Sequence, residues 1–374
     1  MNVGSFDVLV VGGGPAGCAL GLHLARAGCS VAVLERTDYA DFRAGESLPP
    51  NGVPRLARLG IWESFLKTKP LPVYGVQSAW GTTQLESSSF LSNPSLNGWH
   101  LDRPRFDAML SSAAEEAGAH IFRQAHAHVI ARTPRNTWAI TAGSPSGELR
   151  VCSSFIVDAT GRSAAVSRKM GIPHFSVDRM VGISQLHTTE AFADELPSLI
   201  ETHPAGWWYS AGLPGGRVIA IFFTDSDLCA RHHLTRPSPW RQVLSETHHT
   251  KERLMQCAAS ASLQVFPASS RSLRSAAGNS WLAIGDAVIG RDPLSSSGID
   301  FALASAERAF SLLCRMAGGD GSCADTYNAQ VRADFAAYLD QRSTFYCLER
   351  RWSDSLFWRR RHFDEARHDV RTRH

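Results

Sequence analysis

The stretch Phe6–Arg36, FDVLVVGGGPAGCALGLHLARAGCSVAVLER, decides the fold of this chain. A short apolar run, Asp7–Val11, ends at GGGPAG, which fits the spacing G-x-G-x-x-G. The helical pattern Cys18–Ala27 follows, and a second apolar run, Ser30–Leu34, leads to an acidic residue. Strand, glycine turn, helix, strand and acid in this register predict a dinucleotide-binding unit of Rossmann type.

Each residue of this turn has a physical task. Gly12 permits the tight turn from strand to helix, Gly14 lets the backbone approach a pyrophosphate, and Gly17 lets the helix pack closely on the strand. The helix start offers free N–H groups to the phosphates, and Glu35 is placed to accept hydrogen bonds from a ribose diol. We therefore assign cofactor binding to Gly12, Gly14, Pro15, Ala16, Gly17, Glu35 and Arg36.

The composition excludes several classes of protein. The 374 residues are 44% hydrophobic and 20% charged, with a net charge of +3, which is typical of a globular chain and too small to indicate a nucleic-acid partner. No apolar run approaches the roughly 18 residues of a membrane span. The first apolar segment is a strand, not a signal peptide. We expect a cytoplasmic protein with no membrane span.

Cysteine and histidine spacing argues against a metal site. The eight cysteines form no C-x-x-C pair, and the fifteen histidines include His232-His233 and His248-His249 without the spacing of metal ligands. We expect free thiols in a reducing compartment and no bound metal.

The strands in the middle of the chain differ from the nucleotide-binding ones. Two further strands end in the turns Asp158–Gly161 and Gly285–Ala287, as the nucleotide fold requires. Between the glycine turn and these turns, Pro214–Gly216 predicts a hairpin. An antiparallel sheet is predicted from Val73–Trp80, Met180–His187, Gly206–Leu213 and Arg217–Thr224.

Further residues indicate that the nucleotide is FAD. Asp286 can accept a hydrogen bond from the ribityl chain, and Arg103 heads a helix where it can neutralise the pyrophosphate. Pro293–Ile299 opens a helix whose first N–H groups would stabilise negative charge on reduced flavin. The loop after the second strand could cross the flavin. The added cofactor-binding residues are Arg43, Ser47, Arg103, Gly285, Asp286, Pro293, Gly298 and Ile299.

With these motifs the chain resembles the FAD-dependent monooxygenases of the aromatic-hydroxylase type and, more closely, the flavin-dependent tryptophan halogenases. The halogenase likeness lies in Gly45-Glu46-Ser47, Asp292–Leu294, Ser296–Gly298 and Tyr346 with Glu349–Trp352. The resemblance implies one FAD, a reduced form that reacts with O₂, and a flavin C4a-hydroperoxide as the oxidant.

The fold class expected is α/β. A Rossmann-type FAD-binding domain of the glutathione-reductase and aromatic-hydroxylase type would carry an inserted, mostly antiparallel β-sheet substrate domain and C-terminal helices. We predict a discontinuous FAD-binding domain at 1–70, 98–170 and 272–328, a substrate sheet at 71–97 and 171–271, and a C-terminal helical segment at 329–374.

Two departures from the halogenase pattern favour hydroxylation. Halogenases carry a lysine in a strand just before a glycine, but here that strand reads Pro72–Gly75, and Lys67 and Lys69 lie in a polar segment typical of a surface turn. The halogenase signature W-x-W-x-I-P also fails in Trp207–Pro214. Hydroxylation by the peroxyflavin is therefore the chemistry we expect.

A narrower resemblance concerns the substrate. Gly45–Pro50, Ser78–Gly81, Gly98–Asp107 and the arginine-rich end are similar to the flavoprotein maturases of tryptophylquinone enzymes. This likeness implies hydroxylation of a tryptophan within a partner protein during quinone cofactor biogenesis. Two alternatives stay open: a halogenase or hydroxylase of a free or carrier-bound aromatic metabolite, and a flavin-dependent reductase.

Candidates for the catalytic site are Glu46, Trp208 and Tyr209. Glu46 would act as a base or fix the backbone of its loop, and the two aromatic residues would line the substrate cavity or pack in the core. No second G-x-G-x-x-G follows a strand, so either NAD(P)H binds transiently or a separate flavin reductase supplies electrons. The arginines of Arg350–Arg373 form either a solvated helix end or a surface for an acidic protein partner.

Overall fold

The computed structural model describes residues 2–189 and 196–362. Its strands are β1 (Asn2–Val11), β2 (Val31–Leu34), β3 (Ser47–Leu48), β4 (Leu71–Val73), β5 (Gly75–Ala79), β6 (Glu86–Ser89), β7 (Gly98–His100), β8 (His120–Phe122), β9 (His126–Arg132), β10 (Trp138–Ser144), β11 (Gly147–Asp158), β12 (His174–Ser176), β13 (Met180–Thr188), β14 (Ser198–His203), β15 (Gly206–Leu213), β16 (Arg217–Asp225), β17 (Ala258–Ala259), β18 (Gln264–Pro267), β19 (Arg271–Leu273), β20 (Ala277–Gly278), β21 (Trp281–Ala283) and β22 (Ile289–Gly290).

The helices surround and separate these strands. They are α1 (Pro15–Arg26), α2 (Val53–Arg58), α3 (Trp62–Lys67), α4 (Arg103–Glu116), α5 (Ala165–Lys169), α6 (Ser226–Arg231), α7 (Pro237–Ser245), α8 (His249–Leu254), α9 (Gly298–Ala317), α10 (Cys323–Tyr346) and α11 (Leu356–His362). In the described part of the chain, none is long and apolar enough to cross a membrane.

The first large sheet holds the nucleotide-binding strands. Its order is β20-β21-β11-β1-β2-β8, and β10 and β9 continue antiparallel from β11. β1 pairs in parallel with β2 and β11, and β11 pairs in parallel with β21. Because the carboxyl ends of parallel strands share one edge, the turns at Gly12, Asp158 and Gly285 meet there. The predicted Rossmann-type α/β fold is confirmed.

The second large sheet is mostly antiparallel, as predicted. Its order is β17-β13-β16-β15-β14-β5-β6, with β18 beside β13, and only the β14–β5 pair of this path is parallel. Gly215 and Gly216 take φ of +81° and +68° in the hairpin between β15 and β16. The expected turn at Pro214–Gly216 is therefore confirmed. The exact domain boundaries stay a prediction.

The expectation of one strand over Val73–Trp80 is wrong. The segment divides at Tyr74: Leu71–Val73 pairs with β7 in a small sheet, β3-β7-β4, whereas Gly75–Ala79 joins the large sheet. A Cβ at Gly75 would lie 2.5 Å from the Ser88 carbonyl oxygen. The close approach of β5 and β6 therefore requires glycine here, and the chain changes sheets just before it.

Successive side chains of β15 point to opposite sides of the second sheet. Trp207 and Tyr209 lie on what we call the inner face, and Trp208 lies on the outer face. The inner face packs against loops of the nucleotide-binding half and the C-terminal helices through Phe42, Ala44, Leu294, Tyr346, Phe357 and Trp358. The outer face packs against the segment that contains α6 to α8 through Cys229, Leu234, Trp240 and Leu254.

The C-terminal segment is helical, as expected for Gln330–Arg361, with a break between α10 and α11. Arg361 is nearly buried, with 3% of its side chain exposed, and pairs with Asp225 at 2.9 Å. Arg360 contacts the same carboxylate at 2.7 Å. These two arginines serve the fold, so a surface for an acidic partner does not include them. Residues 363–373 of the arginine-rich tail lie outside the described residues.

Candidate functional site

The glycines of the turn after β1 have two kinds of surroundings: two are closely packed, and one faces open space. A Cβ at Gly12, where φ is +107°, would lie 2.2 Å from the Ala159 carbonyl oxygen, and one at Gly17 would lie 1.8 Å from the Gly12 carbonyl oxygen. A Cβ at Gly14 would meet nothing within 4 Å. The turn thus presents a bare backbone to a crevice at the start of α1, whose first turn contains Pro15 and Ala16.

The Glu35 carboxylate lies directly behind this turn. It accepts hydrogen bonds from the Gly13 N–H at 2.8 Å and from the Thr37 backbone and hydroxyl at 3.0 and 2.7 Å. Arg43 pairs with it at 3.3 Å, whereas the neighbouring Arg36 is exposed. The acid predicted to bind ribose is therefore fixed against the glycine turn and balanced by a cation.

Arg103, the first residue of α4, holds the loop that carries Glu46. Its guanidinium donates to the Ala44 and Gly45 carbonyl oxygens at 3.2 and 2.9 Å and to both carboxylate oxygens of Asp107. Burial opposes its charge, but the Asp107 carboxylate prevails and raises the pKa of Arg103. The next residue of the loop, Ser47, begins β3. Arg103 thus positions the predicted flavin-spanning loop.

The turn after β21 faces the same crevice. Gly285 has φ of +57°, donates its N–H to the Ser305 hydroxyl at 3.0 Å, and would place a Cβ 3.0 Å from that of Ala16. The Asp286 carboxylate is one-third exposed and pairs with Arg162 at 3.3 Å. A partly exposed carboxylate at this edge is suited to the ribityl role predicted for it.

The start of α9 is open. Pro293 begins a short turn, Ser296 has φ of +47°, and Ser297 makes no side-chain cap. Gly298 is exposed, and a Cβ on it would meet nothing within 4 Å. Since the first N–H groups of a helix lack intrahelical partners, those of Gly298 and Ile299 are free to bind an electron-rich group.

A buried polar cluster adjoins the loop that carries Glu46. The Tyr209 hydroxyl contacts the Ser198 hydroxyl at 3.4 Å and lies near enough to the Glu46 carboxylate to be affected by its charge. Ser198 in turn contacts Nε2 of His100 at 2.9 Å. Burial raises the pKa of Tyr209 well above its usual value, and the Glu46 charge adds to this effect. Burial lowers the pKa of His100 to about 4.

The structure separates Trp208 from the other two catalytic candidates. Its indole is fully buried on the outer face, 4.9 Å from the Trp240 ring and 5.0 Å from the Phe222 ring between centroids. Since Tyr209 points to the inner face, Trp208 is a packing residue and not part of the same cavity. Sequence reasoning missed Ser198 and His100, although His100 stands in the Gly98–Asp107 motif.

A cavity of about 420 Å³ opens beside the polar cluster. Its walls are Leu71, Pro72, Val73, Tyr74, Gly75, His100, Leu196 and Pro197. Lys67 and Lys69 are exposed elsewhere. Among the described residues, no group of three His, Cys, Asp or Glu side chains is arranged to hold a metal ion.

A family model described as FAD binding domain matches residues 5–343. The chain belongs to this family. FAD is therefore its cofactor. The bare backbone at Gly14 and the open start of α9 are suited to bind it. The protein is an FAD-dependent enzyme of the monooxygenase and halogenase type.

Three known proteins show how far the likeness extends. The protein named FAD-dependent oxidoreductase LodB, from Marinomonas mediterranea, is 32% identical over 96% of this chain and 97% of its own length. The halogenase CmlS has the same fold, with a TM-score of 0.87 and 23% identity over 99% of this chain and 70% of its own. The peptidyl tryptophan dihydroxylase QhpG, essential for tryptophylquinone cofactor biogenesis, shares the fold with a TM-score of 0.71 and 22% identity over 96% of this chain and 78% of its own.

Proposed function

We propose that this enzyme uses FAD and O₂ to hydroxylate an indole ring, namely a tryptophan side chain carried by a partner protein. The observation that carries the proposal is the wall of the 420 Å³ cavity. It combines apolar residues with a neutral imidazole, and lysine is absent from the lining residues that the structure describes. A halogenase would need that lysine to bind hypohalous acid, whereas an electrophilic oxygen donor needs only a dry, oriented aromatic ring.

The chain's own residues divide the chemical work. Reduced FAD, held at the glycine turn and at the start of α9, would supply the two electrons with which O₂ gives one oxygen atom to the ring and one to water. A docked substrate would close the open cavity to bulk water, and the ring carbon that gains oxygen must lose its proton. We assign that proton to the Glu46 carboxylate, which accepts the Gly45 N–H at 3.0 Å and whose charge acts on the neighbouring Tyr209 hydroxyl.

Two observations favour a polypeptide substrate. Tyr74, at the cavity wall, is 58% exposed, and Leu91 and Leu96 on the adjoining loop are 67% and 54% exposed. Exposed apolar side chains around a cavity are typical of a docking surface. QhpG, which shares this fold, acts on a peptidyl tryptophan.

We further propose that the protein is cytoplasmic. All eight cysteines are unpaired in the structure, which is expected in a reducing compartment. Electrons would come from transiently bound NAD(P)H or from a separate flavin reductase. Flavin bleaching by NADPH or NADH alone, under anaerobic conditions, distinguishes the two sources.

The test is co-expression with candidate partner enzymes, followed by intact-mass and peptide analysis of each partner. We expect one partner to gain one or two oxygen atoms on a tryptophan, and isotopic label from ¹⁸O₂ to appear there. The matched control is the Gly14→Val enzyme, whose added side chain occupies the cofactor crevice. An unmodified partner, together with turnover of a free or carrier-bound aromatic compound, would refute the proposal.

Two other reactions remain testable in the same assay. Halogenation is favoured by the fold shared with CmlS, and it would yield a chlorinated or brominated ring when halide is present. A flavin-dependent reductase would act without O₂ and leave no isotopic oxygen in its product. Either outcome would replace the hydroxylation proposal.

A further inference from the structure

One face of α10 contacts the loop that precedes α9. Tyr338, Arg342 and Tyr346 are spaced four residues apart, so they lie on the same side of the helix. All three bind Asp292, whose side chain is only 1% exposed. The residue immediately after Asp292 begins the segment Pro293–Gly298, which we call the flavin loop.

The bonds to Asp292 use both its backbone and its carboxylate. The Tyr338 hydroxyl accepts the Asp292 N–H at 2.6 Å. Oδ2 of Asp292 accepts from Nε of Arg342 at 3.1 Å and from the Tyr346 hydroxyl at 2.8 Å. Oδ1 accepts the N–H of Leu294, inside the flavin loop, at 3.0 Å. A shift of the carboxylate would therefore move the loop with it.

The same face of α10 also contacts the second large sheet. The Tyr346 hydroxyl accepts the indole N–H of Trp207, on the inner face of β15, at 3.0 Å. Arg342 makes a second ion pair with Asp178 at 2.9 Å, just before β13. The side chains of Arg342 and Tyr346 are nearly buried, so water does not compete for these bonds. Arg342 and Tyr346 thus bond both to Asp292, at the start of the flavin loop, and to residues on or next to the second large sheet.

We propose that Tyr338, Arg342 and Tyr346 are positioning residues, which act through Asp292 to set the reduction potential of bound FAD. The flavin loop leads into α9, and the first N–H groups of that helix, those of Gly298 and Ile299, stabilise negative charge that develops when the flavin is reduced. A small displacement of the start of α9 therefore weakens the binding of reduced FAD more than the binding of oxidised FAD. The inference rests on the assignment of the α9 start to the flavin, and it holds whatever the substrate is.

The test compares two tyrosine variants on one helix. Tyr346→Phe keeps the ring and removes the hydroxyl that bonds Asp292. Tyr327→Phe is the control, since the buried Tyr327 hydroxyl donates to the Ala283 carbonyl oxygen at 2.9 Å and does not touch Asp292. Asp292→Asn is a second variant, which preserves size and removes the charge opposite Arg342.

The readouts are the midpoint potential and visible spectrum of the bound flavin, with thermal unfolding measured in parallel. We expect Tyr346→Phe and Asp292→Asn to weaken the binding of reduced FAD about tenfold relative to the binding of oxidised FAD. This change lowers the two-electron potential by about 30 mV. Tyr327→Phe should leave the potential and the spectrum unchanged. If Tyr346→Phe lowers the melting temperature but leaves the potential at the wild-type value, or if the control shifts it equally, the proposal is wrong.

Discussion

The glycine turn after β1 and the polar cluster around Tyr209 represent two ways of building a site. Residues within one short segment form the turn. The backbone is closely packed at Gly12 and Gly17 and faces open space at Gly14. The cluster draws Glu46, His100, Ser198 and Tyr209 from four separate segments. Side-chain hydrogen bonds join His100, Ser198 and Tyr209, and the Glu46 charge acts on Tyr209. The comparison teaches that one short segment can present an open crevice through backbone geometry alone, whereas a buried polar cluster depends on how distant segments align.

The largest effect should come from the glycine turn. In Gly17→Val the new Cβ would lie 1.8 Å from the Gly12 carbonyl oxygen, so we expect loss of more than about 4 kcal/mol of folding stability. Gly14→Val has open space, so the apoprotein should melt near the wild-type temperature while FAD affinity falls by at least about 100-fold. Differential scanning fluorimetry and flavin titration separate the two. Equal melting of both variants would contradict the division of tasks.

Acid should weaken the polar cluster next. The folded-state pKa of His100 is about 4, below its unfolded value of about 6.5. Between these values the unfolded chain binds the proton and the folded chain does not, so stability is lost as the pH falls from 6.5 to 4. The contribution of His100 approaches about 3 kcal/mol at the lower limit. Urea unfolding across this range measures the slope, and His100→Gln should flatten it; an unchanged slope would contradict the assignment.

Tyr209 and Trp208 provide a matched comparison of the two sheet faces. Tyr209→Phe removes the hydroxyl that lies beside the Glu46 carboxylate, and we expect turnover to fall about 10- to 100-fold with FAD affinity unchanged. Trp208→Phe alters only outer-face packing, so it should reduce stability by about 1 kcal/mol and leave turnover at the wild-type value. Single-turnover kinetics with pre-reduced enzyme checks both. Loss of turnover in Trp208→Phe would reverse the assignment of the two faces.

The smallest effect concerns another histidine on the outer face. His187 is buried beside Trp240, neither of its ring nitrogens has a hydrogen-bond partner among residues 2–189 and 196–362, and burial lowers its pKa to about 4. Replacing it by leucine removes two unpartnered polar atoms, so we expect stability at pH 7 to rise by about 1 kcal/mol. The gain should be greater at pH 5. Destabilisation at both pH values would show that His187 has a bonding role.

Local patterns predicted the glycine turn, the hairpin at Pro214–Gly216 and the helix after Gly298, because each depends on neighbouring residues. The cluster partners Ser198 and His100 could not be paired from sequence, since strand alignment brings them together. The placement of Trp208 with Tyr209 had a usable signal, because adjacent residues of a strand face opposite sides. Asp292 belonged to a recognised motif, but its three partners on α10 only became evident in the structure.

The pairing of β1 has a consequence for synthesis on the ribosome. Val8 pairs with Val31 on one side and with Phe155 on the other. At about 5–20 residues per second, the second partner emerges on the order of ten seconds after the first. During that interval the apolar β1–β2 pair has an open edge, which can recruit other nascent chains. Slowing translation just before β11 should therefore increase chaperone association and aggregation, even though the finished enzyme leaves that edge covered.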